Sequence, residues 1–447
     1  MHPSTQNFTN LIACPDCDLL LSKTEAPAGH SIICPRCGKI ISRRTNDSII
    51  KALALSTAGL LMYFPAILLP LMTMKSFGFS DSANILDSIV NFYSNGYYFV
   101  SFMVLISAVV FPLVLLTSIF IISLQLYLQQ YPSYLAGLFR TYVHLEEWAM
   151  VEVYLLGIMV SIIKMAHSAE IRYHMGFFCF IGLVLLTITI ATIIDHEFFW
   201  QTIENKGKKR QFEPAAGHHL QKGVEISAAR QGLILCHICH KLSPIALEKK
   251  RCPRCAETLH VRKPFSISRT WALILTSTIF LVPANLLPIM RVDFLGIPDR
   301  STIMDGIIYF FQHGSYLIGL IIFVASVLVP VFKIVGLVIL LRSTHLCNLK
   351  LLQQKAKMFR FITFIGRWSM LDIFVIALLS AIVDFGFFTS IHIAPAATYF
   401  CIVVASTMFA VITFDPRIVW DRCNPEINQS GKISPVRIPR NNFGKNT

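Results

Sequence analysis

The chain has 447 residues, of which 54% are hydrophobic and only 14% charged, and its mean hydropathy is positive. So apolar a composition excludes a soluble globular chain of this length and makes a membrane its main solvent. The net charge of +14 would suit nucleic acid, but in a membrane chain lysine and arginine gather on the cytoplasmic side, and we read it that way.

Residues 1–46 are polar and hold Cys14-Pro-Asp-Cys17 and Cys34-Pro-Arg-Cys37. They lead into an apolar run too long for a signal-peptide core, so no cleavable signal is expected. Long charge-poor runs such as Ala52 to Met74 and Tyr97 to Leu126 predict membrane-crossing helices, for which about 20 residues suffice. Roughly four such spans are expected over 47–201. Residues 202–230 are polar and basic and read as a cytosolic linker. Residues 231–265 bring Cys236-His-Ile-Cys239 and Cys252-Pro-Arg-Cys255. Roughly four more spans over 266–420, including Leu317 to Leu341 and Ala394 to Thr413, complete the membrane part. Residues 421–447 read as a disordered cytosolic tail.

The chain repeats itself. Cys14 and Cys17 fall on Cys236 and Cys239 at an offset of 222, and at 218 Cys34 and Cys37 fall on Cys252 and Cys255, Pro65 and Pro70 on Pro283 and Pro288, Asp87 on Asp305, Gly96 on Gly314 and Pro112 on Pro330. At 220, WAMVEV from Trp148 falls on WSMLDI from Trp368, and Asp195 to Trp200 on Asp415 to Trp420. The expected fold is an all-α polytopic membrane protein made by tandem duplication: two four-helix membrane domains, each preceded by a small cytosolic four-cysteine zinc ribbon. The stretch 201–269 carries fourteen lysines and arginines, while the loops Phe79 to Asn95 and Phe385 to Pro395 carry none. Ribbons, linker and both termini are therefore expected on the cytoplasmic side.

Of twelve cysteines, eight form four Cys-x-x-Cys pairs, separated by 16 residues in the first ribbon and 12 in the second. Two thiolate turns at such spacing close a tetrahedral all-sulfur site, for which zinc is the usual metal. With Cys14, Cys17, Cys34 and Cys37 on one ion, and Cys236, Cys239, Cys252 and Cys255 on the other, no position is left for a catalytic water, so two structural zinc ions per chain are expected. A thioredoxin-like role for one pair leaves unexplained why the pairs come in twos. His30, His237 and His240 read as solvent-facing or as neighbours of the site.

Ionisable groups inside spans are costly and therefore candidates for function. Lys333 lies nine residues before Arg342 and Asp372 five after Arg367, about 13 Å and 7 Å into the membrane, which allows them to meet. The first half has Leu115 in place of Lys333 and Glu152 in place of Asp372. Its nearest lysine, Lys164, is about 18 Å further along the same helix as Glu152. A charge-paired gate in the second half, with the first as its scaffold, competes with charges that only fix packing or snorkel to the interface. Trp148, Trp200, Trp368 and Trp420 read as interface anchors. Pro65, Pro70, Pro283 and Pro288 are expected to unwind or kink the outer ends of the first spans, with Asn285 bonding freed backbone.

VPANLLPIM (282–290), SVLVPVFK (326–333), GRWSMLDIFVIALLSA (366–381) and TFDPRIVWDR (413–422), with two four-cysteine ribbons, resemble the paraquat-inducible protein A family over nearly the whole chain. TFDPRIVWD and RQGL (230–233) look closer to the family's PqiA branch than to its LetA-type relatives. The resemblance implies an inner-membrane component of an envelope lipid-transport system that loads or extracts phospholipid. It also implies a periplasmic MCE-domain partner forming a tunnel and, in the PqiA branch, an outer-membrane lipoprotein. Lys333 and Asp372 match the family's polar pair. No P-loop, nucleophile motif or open metal position argues for an enzyme. A membrane-tethered zinc or redox regulator, or a small-molecule or ion carrier, are the competing readings. The outer loops 75–96 and 291–314 are the expected docking sites for a partner.

Overall fold

The computed structural model describes residues 11–22, 31–43, 47–76, 79–146, 148–165, 170–205, 227–294, 297–312, 314, 316–344, 351–382 and 389–421. His30, Cys347, Cys423, most of the linker and the tail after Asp421 lie outside them. Among the described residues, seven helices are long and apolar enough to cross a membrane: Ser48–Leu68, Tyr98–Tyr127, Met175–Ile193, Ser266–Leu286, Gly319–Ser343, Leu352–Ser380 and Ala396–Thr413. The eighth expected span is the shorter helix Val151–Met165.

Both halves follow one plan, and the repeated residues have local jobs. Asp87 and Asp305 sit three residues after Asn84 and Thr302, and each pair exchanges side-chain to backbone hydrogen bonds in a capping box. These boxes start the helices Ile85–Ser94 and Ile303–Gln312. Gly96 and Gly314 turn the chain out of them at φ 84 and 76, a region that favours glycine. Pro112 and Pro330 cannot donate to the carbonyl four residues back, and the helices absorb this as π-helical turns at Leu105–Val110 and Val324–Leu328.

The loops opposite the ribbons contain strands that helical periodicity did not reveal. Met72–Ser76 is flanked by Phe79–Ala83 and Glu170–Tyr173, and Met290–Phe294 by Ile297–Ser301 and Thr389–Ile393, each an antiparallel three-stranded sheet. The prolines also act differently from expectation. The first helix of each half runs through Pro65 or Pro283 and stops just before Pro70 or Pro288. A proline near a helix end leaves one carbonyl without its usual donor, whereas the residue preceding a proline is driven to extended backbone. Leu69 and Leu287 are extended, and their N–H groups close the last turn on Pro65 and Pro283. Asn285 Nδ2 donates to the Leu281 carbonyl at 2.9 Å, not to that of Ile279, which loses its partner to Pro283.

The halves meet along Val151–Met165 and Leu371–Ile382, which pack against each other. Gly157 permits the approach, since a Cβ there would lie 3.1 Å from Phe374 Cβ. Tyr154 adds an edge-on contact to the Phe374 ring at 5.1 Å. Gly157→Leu is expected to wedge the halves apart and cost about 1–3 kcal/mol by overpacking, read as a lower thermal midpoint in detergent.

Helix His196–Glu204 extends past 201, and Ser227 and Ala228 already pair with Leu19 and Asp18 of the first ribbon. Two of the four tryptophans are buried and not interface anchors: Trp200 packs on the Phe139 ring at 4.7 Å, and Trp420 lies under Arg36 of the first ribbon.

Candidate functional site

Each cysteine pair occupies a tight turn whose next residue takes the left-handed conformation: Asp18, Gly38, His240 and Ala256 have φ between 52 and 72. In the first ribbon Cys14 Sγ lies 3.5 Å from Cys37 Sγ and Cys17 Sγ 3.6 Å from Cys34 Sγ; the second gives 3.5 Å for Cys236 and Cys255 and 3.6 Å for Cys239 and Cys252. All four sulfurs of each set lie within 4.8 Å of one another and are buried. A disulfide needs about 2.05 Å. A tetrahedron of metal–sulfur bonds of about 2.3 Å separates sulfurs by about 3.8 Å, so the sets fit a four-coordinate thiolate metal with no open position.

The ribbons dock on the membrane domains, and they do so crosswise. Arg360, on the second-half helix Leu352–Gly366, donates to the Cys37 carbonyl at 2.8 Å and to Asp16 at 3.1 Å in the first ribbon. Arg36 of that ribbon lies 4.4 Å over the Trp420 ring. Arg140, on the first-half helix Leu135–Leu145, donates to the Cys255 carbonyl at 3.4 Å and pairs with Glu257 at 3.6 Å in the second ribbon. Arg254 of that ribbon pairs with Glu197 and Glu204 at 3.3 and 2.7 Å, and Lys241 also pairs with Glu204.

Between the ribbons lies a buried ion network. Arg262 grips Asp421 with two hydrogen bonds of 2.6 and 2.7 Å and reaches Asp18 at 2.9 Å. Arg417 pairs with Asp415 at 3.0 Å and touches the His237 ring at 3.1 Å. His237 is thus a network residue and His240 a turn residue, and neither is needed as a ligand. Burial alone would raise the Asp415 carboxyl, but the Arg417 guanidinium holds it well below the usual carboxylate range. A folded-state pKa depressed in this way contributes stability above the unfolded value of about 3.9, which is lost as pH falls through the folded pKa. The thermal-midpoint gap between wild type and Asp415→Asn is therefore expected to shrink below about pH 4.

Inside the membrane part, Lys333 is 0% exposed, and its Nζ donates to Ser369 Oγ at 3.2 Å. Ser369 lies in the 3-10 turn Arg367–Met370, which packs against the π turn Val324–Leu328 and helix Ala396–Thr413. Two irregular turns thus flank the lysine. The backbone of Asp372 begins the next helix, but its side chain, like that of Lys164, lies outside the described residues. Glu152, in contrast to Lys333, is exposed, so it does not share an enclosed site with it.

The family model described as "Paraquat-inducible protein A" matches residues 49–204 and 267–424. The chain belongs to the paraquat-inducible protein A family. The two matches correspond to the two membrane halves and leave both ribbons outside. "Intermembrane transport protein PqiA" of Escherichia coli K12 is 31% identical over 92% of this chain and 95% of its own. "Lipophilic envelope-spanning tunnel protein A" of the same strain is 31% identical over 91% and 90%, and a "Probable intermembrane transport protein" of Haemophilus influenzae is 28% identical over 92% and 95%. Equal identity to these two relatives leaves the chain unassigned between them. No solved structure matches the chain significantly.

Sequence reasoning missed the contacts made by Ser369, Arg140, Arg360, Asp415 and Arg417. Ser369 stands where the first half has Ala149, the same kind of difference as Lys333 against Leu115. Arg140 and Arg360 share the 220-residue offset, a repeat that was there to be read.

Proposed function

We propose that this chain is the inner-membrane subunit of an envelope lipid-transport system, with ribbons and termini on the cytoplasmic side and two structural zinc ions per chain. Phospholipid is loaded or extracted at the second membrane half, at the site of Lys333, Ser369 and Asp372. It is passed to or from a periplasmic MCE-domain tunnel protein and, beyond it, an outer-membrane lipoprotein. The likeness to an intermembrane transport protein over 92% of the chain carries this reading, and the fully buried Lys333 of the second half supports the choice of that half. Catalysis is not part of the proposal. The crossed docking, which spends the cysteine turns on contacts with the chain itself, weighs against a free nucleic-acid-binding or regulatory ribbon.

The test is to purify the protein from its native membrane in mild detergent, identify co-purifying proteins and lipids by mass spectrometry, and determine zinc. An MCE-domain protein with enriched phospholipid and two zinc ions is the expected result. Transport of a small solute by the protein alone in liposomes, without a periplasmic partner, would point to a carrier instead.

A further inference from the structure

Each ribbon precedes one membrane half in the chain, and the carbonyl of its last cysteine is held by the other half, although the second ribbon also touches its own half through His237 with Arg417 and Arg262 with Asp421. The grip has two points and is repeated by symmetry. An arginine of the membrane half, Arg360 or Arg140, donates to the backbone carbonyl of the last cysteine of the ribbon, Cys37 or Cys255. An arginine of the ribbon, Arg36 or Arg254, lies on the short terminal helix of that same half, over Trp420 or against Glu197 and Glu204. Buried side chains agree: the first four cysteines pack in one cluster with Leu352, Ala356, Phe414 and Trp420 of the second half.

In a small ribbon with little core of its own, metal binding and folding of the Cys-x-x-Cys turns are coupled. The carbonyls of Cys37 and Cys255 are therefore presented to their arginines only by a metallated ribbon. We propose that the two metal centres are crossed braces: the metal of the first ribbon holds the second membrane half, and the metal of the second ribbon holds the first. Arg360 and Arg140 are the positioning residues that carry the coupling. The braces are unequal in consequence, because helix Leu352–Gly366 runs directly into the turn that holds Ser369, nine residues after Arg360. The N-terminal metal centre thereby braces the helix that presents Ser369 to Lys333.

This inference rests on the metal reading of the cysteines and not on the lipid reading. Hydrogen–deuterium exchange on the full-length protein in detergent tests it, with zinc determined on the same samples. Cys37→Ser is expected to lose one zinc and to speed exchange in residues 352–366 roughly tenfold or more, leaving 135–145 and 196–204 at wild-type rates. Cys255→Ser is expected to do the reverse. Arg360→Ala is expected to loosen 352–366 while keeping both zinc ions, and this variant decides the matter if the cysteine variants do not fold. Loosening on the same side as the mutated ribbon, equal loosening of both halves, or no change in Arg360→Ala overturns the crossing. Wild-type protein without bound metal overturns the metal reading as well, whereas two metals with a same-side pattern overturn the crossing alone.

Discussion

Lys333→Met is expected to abolish lipid-transport function in cells while leaving protein level and thermal midpoint in detergent at or above wild type. Lys333 is fully buried and its Nζ donates to the Ser369 hydroxyl at 3.2 Å. Holding an ammonium there costs several kcal/mol of desolvation, and apolar replacements of such groups are often neutral or stabilising. A group that lowers stability at a helix break is kept for what it does. Ser369→Ala removes that hydroxyl partner and is expected to weaken function less completely, with about 1–3 kcal/mol of lost local satisfaction. Asp372→Asn is expected to fail as Lys333→Met does. Complementation of a strain lacking the gene, with membrane abundance measured in parallel, separates loss of function from loss of fold. Full activity of Lys333→Met at normal abundance would falsify the placement of the transport site.

Removal of metal is expected to have the second large effect. The described ribbon strands are only three or four residues long, and domains below about 40 residues usually need a metal or disulfides to fold. Structural zinc sites bind with an apparent 10–16 kcal/mol, roughly, which is far more than such strands supply. Cys14→Ser is expected to lower zinc from two ions per chain to one, and a strong chelator to remove both. Limited proteolysis should then cut within residues 11–43 at rates well above wild type. Unchanged zinc in Cys14→Ser would mean that Cys14 is not a ligand.

Much of this was legible because it is local. The spacing of the cysteine pairs predicted both metal sets, since a thiolate turn is closed by its own few residues. The 218-residue offset picked out Asp87 and Asp305, Gly96 and Gly314, and Pro112 and Pro330, which the structure resolves as capping boxes, left-handed exits and π turns. Apolar run length identified the spans, because hydrocarbon thickness alone determines how long they must be. Lys333 stood out because a charge in an apolar run is rare on energetic grounds.

What only the tertiary structure decided is which distant segments meet. The outer loops became three-stranded sheets because strands from opposite ends of each half pair through backbone groups, which every sequence carries. Trp200 is buried against Phe139 and Trp420 under Arg36 of the first ribbon, although their distance from the spans alone marks them as anchors. Glu152 sits on the surface while Lys333 is enclosed, although both lie within apolar runs. The crossing of the ribbons is the clearest case. Arg140 and Arg360 recognise backbone carbonyls of Cys255 and Cys37, acceptors without a side-chain signature, so chain order could only suggest that each ribbon belongs to the half that follows it. The contacts with the opposite half are made by packing and ion pairing over separations of 37 to 344 residues, and those energies exist only once both halves have folded.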